Sequence, residues 1–188
     1  MNQPDNTELE SFEFQGRIHL ITQSSKIPDA LKILGQESRL GFDTETKPAF
    51  KKGEFYLPCL LQLSSEEDCF LFRLQQTGFH EGLRELLAEK TITKAGVAIR
   101  DDLVGLKKIH PFQPESFVEI ADLARLQGHE KLGLRNLSAA LLGLHVSKKT
   151  RTTNWERPTL TEQQLKYAAG DAYLSLKLYE ALESTQKL

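Results

Sequence analysis

The chain reads as an α/β protein, a mixed sheet flanked by helices within one domain, and three observations predict this. Strand-like runs come early and in succession, two of them separated only by Ser64-Ser65-Glu66-Glu67-Asp68, a hairpin signal. Further along, strand candidates alternate with segments of helical period, the pattern of a sheet that carries helices on its faces. Finally, 188 residues of which 39% are hydrophobic suffice for one sizeable core and not for two. The chain shows neither an internal repeat nor a low-complexity tract.

Residues 1–14 are expected to form a flexible extension, with the domain proper running over 15–188. Arg17–Thr22 is a short strand candidate. Ser25 can cap a helix that reaches Leu34, with Pro28 tolerated in its first turn and Gly35 at its end. The next strand is Leu40-Gly41-Phe42-Asp43-Thr44-Glu45-Thr46, followed by a basic loop, 47–53, that contains Phe50. The apolar runs Leu57–Leu63 and Cys69–Leu74 are expected to pair antiparallel with each other and with the first strand. Phe79, Leu83, Leu86 and Leu87 give 77–89 a helical spacing. A strand over 91–99, a helix continuing through Leu103, Leu106 and Ile109, and a short strand at 116–120 come next. Leu123–Leu126 and Leu132–Leu142 read as helical, and 146–158 as a polar, basic loop. The last helix spans 161–183 and opens on a capping box of Thr161 and Gln164.

The net charge of −2 by itself argues against a nucleic-acid partner, but its distribution weakens that objection. The first sixteen residues hold four acids and no base, which leaves the remainder at +2. Cys59 and Cys69 have no ligand spacing and read as reduced core thiols. The polar, acidic start does not resemble a signal peptide, and no apolar run approaches the ~18 residues of a membrane span. These features predict a cytoplasmic protein with no membrane partner, and a monomer.

On the strand at 40–46, residues two apart share a face, so Gly41, Asp43 and Glu45 lie on one side and Leu40, Phe42 and Thr44 on the other. Two carboxylates side by side either stay solvated at a sheet edge or need a divalent cation, for which hard oxygen ligands suit Mg²⁺ or Mn²⁺. Tyr167 and Asp171 stand at i, i+4 on the last helix and so share a face. Glu162, Gln163, Lys166, Gly170, Tyr173, Lys177, Glu180 and Ser184 mark out a solvent stripe, which turns Tyr167 and Asp171 inward or into a cleft. A buried pair of this kind serves either structure or a site. Asp102 follows Ile99 by three and precedes Leu106 by four, which places it near the apolar face of its helix, whereas Asp101 belongs to the solvated one. Lys148, Lys149, Arg151 and Arg157 against Glu156 give the 146–158 loop a balance of +3, which suits phosphates or simply a solvated loop. Trp155 in that loop either stacks on a base or anchors the loop to the core.

Phe42-Asp43-Thr44-Glu45-Thr46, the segment from Gly96 through Asp102, and Tyr167-Ala168-Ala169-Gly170-Asp171 resemble the three exonuclease motifs of the DEDD superfamily. The tyrosine in the third is similar to the branch that holds ribonuclease D, the proofreading exonucleases and the Werner exonuclease domain. Lys47-Pro48-Ala49-Phe50, Leu60-Leu61-Gln62-Leu63, Gly133-Leu134-Arg135-Asn136-Leu137 and Asn154-Trp155 extend the likeness. Gly170 departs from the commoner residues before the last Asp, and costs ~1 kcal/mol relative to Ala within a helix. The resemblance implies a ribonuclease H-like fold, with the first three strands antiparallel and the later ones parallel. It also implies a two-metal 3′–5′ exonuclease that releases nucleoside 5′-monophosphates from DNA or RNA 3′ ends. Asp43, Glu45, Asp102 and Asp171 would be its metal ligands and Tyr167 the residue that orients water. Thr46, Lys148, Lys149, Arg151 and Trp155 are the candidate substrate contacts. The alternative is a catalytically silent nucleic-acid-binding module of the same fold, against which the presence of all five site residues counts.

Overall fold

The computed structural model describes residues 9–51, 53–147 and 153–186. Its strands are β1 (Glu10–Ser11), β2 (Arg17–Ile21), β3 (Arg39–Thr46), β4 (Pro58–Ser64), β5 (Asp68–Arg73), β6 (Thr93–Gly96), β7 (Phe117–Glu119) and β8 (Leu144–His145). Its helices are α1 (Ile27–Leu34), α2 (Leu74–Thr77), α3 (Glu81–Ala88), α4 (Ile99–Ile109), α5 (Ile120–Leu126), α6 (Leu134–Leu137) and α7 (Glu162–Gln186), with a π-helical turn, Ser138–Leu142, extending α6. Six strands form one sheet in the order β2-β5-β4-β3-β6-β7.

The antiparallel group is β3, β4 and β5, and β6 and β7 run parallel to β3. The earlier strand β2 is not part of that group: it lies parallel to β5 at the sheet edge, with Arg17 opposite Asp68. Its chain returns to that edge only after α1, β3 and β4, and such a long crossover permits parallel pairing. Arg17 fixes the register with two hydrogen bonds to Asp68, at 2.7 and 2.8 Å.

The period of two sorts the core onto both faces of the sheet. Leu40, Phe42, Leu61, Leu63, Phe70 and Phe72 pack against Ile27, Leu34, Leu83, Leu87 and Leu106 from α1, α3 and α4. Cys59, Leu60, Cys69 and Leu71 pack on the other face against Ala168, Ala169 and Ala172 of α7 and against Trp155. The capping box at the start of α7 is present: the Gln164 amide N–H donates to Thr161 Oγ1 at 3.2 Å, and the Thr161 N–H to Gln164 Oε1 at 3.0 Å. A Cβ on Gly41 would stand 1.8 Å from the Ala172 carbonyl oxygen, so only glycine lets the backbone of α7 settle onto β3.

Several expected boundaries shift. The helix over 77–89 is split by Gly78, at φ 69°, and His80 rather than a hydroxyl caps α3. Ser25 sits in a 3₁₀ turn before α1 and does not cap it. The strand over 91–99 closes at Gly96, because Ala98 turns into the left-handed region at φ 61°. The helix over 132–142 is α6 plus the π-helical turn.

The extension expected over 1–14 ends sooner. β1 pairs parallel with β8, the Phe12 N–H donates to the His145 carbonyl at 2.9 Å, and Phe14 is buried. Phe12 stacks on Tyr173, and Glu13 forms an ion pair with Lys166 at 2.5 Å. These contacts cover part of the stripe of α7 expected to face solvent. Gly170 is buried beneath the Phe12 ring, and a Cβ there would lie 3.1 Å from it.

Candidate active site

Asp43 and Glu45 project from β3 toward α7, the same face as Gly41, while Thr44 between them points to the other side. The close seat of α7 on Gly41 brings Asp171, one residue before Ala172, down to this strand. One carboxylate oxygen from each of Asp43, Glu45 and Asp171 lies within 4.8 Å of the others. Burial, reinforced by the negative charges of Asp171 and Asp102, raises the pKa of Asp43 well above the carboxylate range, with the Thr44 amide acting against the shift. Three hard oxygen donors converging in this way fit a divalent cation.

Asp102 stands apart from this trio. It is half-buried in the first turn of α4, and the Thr44 hydroxyl, reaching through from the far face of β3, donates to it. Burial pushes its carboxyl up to about 6, with the Thr44 bond acting against that shift. Asp101, its neighbour, is exposed. Glu119, at the end of β7, holds α4 in place: its carboxylate accepts from the Ala98 and Ile99 amides at 2.8 and 2.9 Å, and also from Ala121 at the start of α5. One acid thus caps two helices beside Ala98, whose left-handed backbone costs ~1 kcal/mol or more. The sequence carries no sign of the link to α4, because those two partners are backbone amides twenty and twenty-one residues away.

Tyr167 lines the same cleft, with its phenol beside the Asp171 carboxylate. Burial, followed by the charges of Asp171 and Glu45, raises its pKa, so the hydroxyl stays protonated at neutral pH. The cleft encloses about 420 Å³, within the size range of small-ligand sites. Asp43, Glu45, Tyr167 and Asp171 line it, with Ala98 and the segment from Gly133 through Asn136 opposite them in the chain.

The candidate substrate contacts fare differently. Trp155 is fully buried, packed among Leu60, Leu160 and Ala168 with Tyr167 6.1 Å away, so it anchors the loop and cannot stack on a base. Thr46 lines a side cavity with Lys47, Phe55, Tyr56 and Asp102, next to the cleft and not within it. Lys148, Lys149 and Arg151 lie outside the described residues. Arg135, in a segment already noted for its likeness to exonucleases, was not singled out from sequence. Among the described residues lining the cleft it is the single basic side chain.

A family model described as 3′-5′ exonuclease matches residues 18–186. The bifunctional 3′-5′ exonuclease/ATP-dependent helicase WRN of Mus musculus is 39% identical over 149 residues, covering 76% of this chain and 11% of that protein. A 3′-5′ exonuclease of Arabidopsis thaliana is 32% identical over 152 residues, covering 77% of this chain and 52% of its own length, so the chain spans about half or less of these relatives. The crystal structure of the Aedes aegypti Nibbler EXO domain superposes with a TM-score of 0.85 at 21% identity, covering 94% of this chain and 93% of that one, which shows a shared ribonuclease H-like fold. With the match running through nearly the whole described chain, from β2 to the end of α7, the chain belongs to the 3′-5′ exonuclease family.

Proposed function

We propose that the domain hydrolyses the last phosphodiester at the 3′ end of a DNA or RNA strand, releasing a nucleoside 5′-monophosphate, and that it works as a monomer with two Mg²⁺ or Mn²⁺ ions. The observation that carries this reading is the convergence of Asp43, Glu45 and Asp171 within 4.8 Å beside a protonated tyrosine in an open cleft. The three acids would hold one ion. Asp43, which feels the charge of Asp102, would share in the second, with Asp102 supporting it from behind β3. When bound, the ions supply charge neutralisation and polarisation of the phosphate.

The remaining chemistry belongs to the chain's own side chains. With its O–H directed at the Asp171 carboxylate and its proton kept, the Tyr167 oxygen can accept a hydrogen bond from the attacking water and aim the water's lone pair at phosphorus. It is too weak an acid to ionise at neutral pH and so orients the water without acting as its base. Asp171 fixes the phenol, and the seat of α7 on Gly41 fixes Asp171.

The test is cleavage of matched 3′-labelled DNA and RNA single strands after chelation and return of defined Mg²⁺ or Mn²⁺. Asp43→Asn should lower kcat by about 10³-fold or more, several kcal/mol of lost charge stabilisation, with strand binding retained. Asp101→Asn should leave the rate near wild type. Wild-type rates in Asp43→Asn would remove the metal-dependent reading.

A further inference from the structure

Arg135 presents a problem that the carboxylate chemistry leaves unsolved. Arg135 lines the cleft that holds Asp43, Glu45 and Asp171, yet among the described residues it forms no ion pair. Its Nη1 is out of contact with solvent and has no hydrogen-bond partner. Leaving a charged donor desolvated and unpaired costs more than the ~1–3 kcal/mol of a neutral one. Among the other side chains with a buried, unpartnered polar atom, Gln62, Arg73, Arg84 and Trp155, none lines this cleft. The cost at Arg135 therefore falls where a substrate would sit. It is met if that substrate brings an acceptor.

The charge balance says which acceptor. A phosphodiester entering the cleft brings one negative charge, and Arg135 is the one basic residue among the described residues that line it. That charge grows as the water attacks. A guanidinium is the side chain best matched to phosphate oxygens, because its planar fork can donate two parallel hydrogen bonds. Arg135 also comes from α6, while the carboxylates come from β3, α4 and α7, so it closes the cleft from a separate element. The π-helical turn that follows α6 is a distortion often found at functional sites.

We infer that Arg135 binds the phosphate of the 3′-terminal nucleotide, the one that leaves as the 5′-monophosphate, and stabilises its charge during attack; this rests on the exonuclease reading for the identity of the reaction. A preorganised donor of this kind is worth roughly 10²–10³-fold in rate. Arginine is required and lysine only partly replaces it, since lysine keeps the charge but loses the fork.

The experiment compares wild type, Arg135→Gln and Arg135→Lys. Calorimetry in Mg²⁺ measures affinity for thymidine 5′-monophosphate and, as the phosphate-free control, for thymidine. Rates are measured on an oligonucleotide and on thymidine 5′-p-nitrophenyl phosphate, whose only phosphate is the reacting one. Arg135→Gln should weaken the monophosphate at least tenfold, leave thymidine unchanged, and slow both substrates by about 10²-fold. Arg135→Lys should fall between. Thermal melts report folding, and if Arg135→Gln does not fold, the Lys variant decides by its loss of monophosphate affinity. Unchanged monophosphate affinity overturns the inference, and so does an equal loss for thymidine, which would mark a structural role. A wild type that binds the monophosphate through Arg135 but cleaves neither substrate would instead sink the exonuclease reading and leave this one standing.

Discussion

The two sides of α7 are both closed against a glycine, but by different means. On the inner side, Gly41 of β3 meets the backbone of the helix, and an added methyl would stand 1.8 Å from the Ala172 oxygen. On the outer side, Gly170 of the helix meets the ring of Phe12, and the same methyl would stand 3.1 Å from it. Backbone cannot yield without moving a whole element, whereas a ring at the end of a chain segment can tilt by tenths of an ångström. The inner contact therefore sets the position of Asp171, and the outer one trims the fit of the amino-terminal segment. The candidate site lies on the rigid side, with Asp43 and Glu45 on a strand and Asp171 on a helix held at fixed separation.

The largest expected effect is the one that breaks the inner contact. Gly41→Ala should force α7 away from β3 or prevent it from docking, at a cost of about 3 kcal/mol or more, beyond the usual range for an extra methylene in a core. Urea denaturation measures the stability, and activity should disappear together with it because Asp171 moves with the helix. A variant with wild-type stability would mean that the close approach of α7 is not rigid, and the contrast between its two sides would fail.

The charge on the inner side can be separated from its packing through pH. The Asp102 carboxyl lies at about 6 in the folded protein, against an unfolded value of ~3.9. A raised carboxyl favours the folded state fully below the unfolded value and loses that contribution as pH rises through the folded one. In EDTA, the stability of wild type relative to Asp102→Asn should therefore fall by on the order of 2 kcal/mol between about pH 4 and pH 7. Thr44→Val removes the hydroxyl that favours the ionised form, and should steepen that fall. Parallel pH curves for wild type and Asp102→Asn would show that the half-buried acid is solvated enough to titrate normally.

How much of this was legible in the sequence follows the same inner and outer division. Asp43 with Glu45, and Tyr167 with Asp171, could be placed because period two on a strand and 3.6 on a helix decide facing over four or five residues. Asp102 could be preferred to Asp101 from its spacing to Ile99 and Leu106, and the structure leaves Asp101 exposed. The amino-terminal segment could not be placed. Its ladder joins only Glu10 and Ser11 to Leu144 and His145, with no periodicity to read and most of the chain in between. Trp155 was left open between stacking and anchoring, because an indole in a basic loop suits both, and burial alone decides it. Arg135 is legible only in three dimensions, from its place in the cleft and its buried Nη1 without a partner.

One local signal did point to the outer side. Glycine inside a helix is unfavourable by ~1 kcal/mol relative to alanine, so Gly170 required a reason, and the Phe12 ring supplies one. If that account is right, Gly170→Ala should behave differently with and without the ring. In Phe12→Ala the methyl meets nothing close, and the helix should gain the full ~1 kcal/mol. In wild type the methyl would press on Phe12, which must shift against its stack on Tyr173, so the gain should be cancelled or reversed. The double-mutant cycle, read from urea denaturation midpoints, should then give a coupling of about 0.5–1 kcal/mol, in the range found for residues in contact. Activity on thymidine 5′-p-nitrophenyl phosphate should stay near wild type in all four proteins, since the inner side is untouched. An equal effect of Gly170→Ala in both backgrounds would mean that Phe12 does not hold its seat in solution. The glycine would then owe its place to something other than the amino-terminal segment.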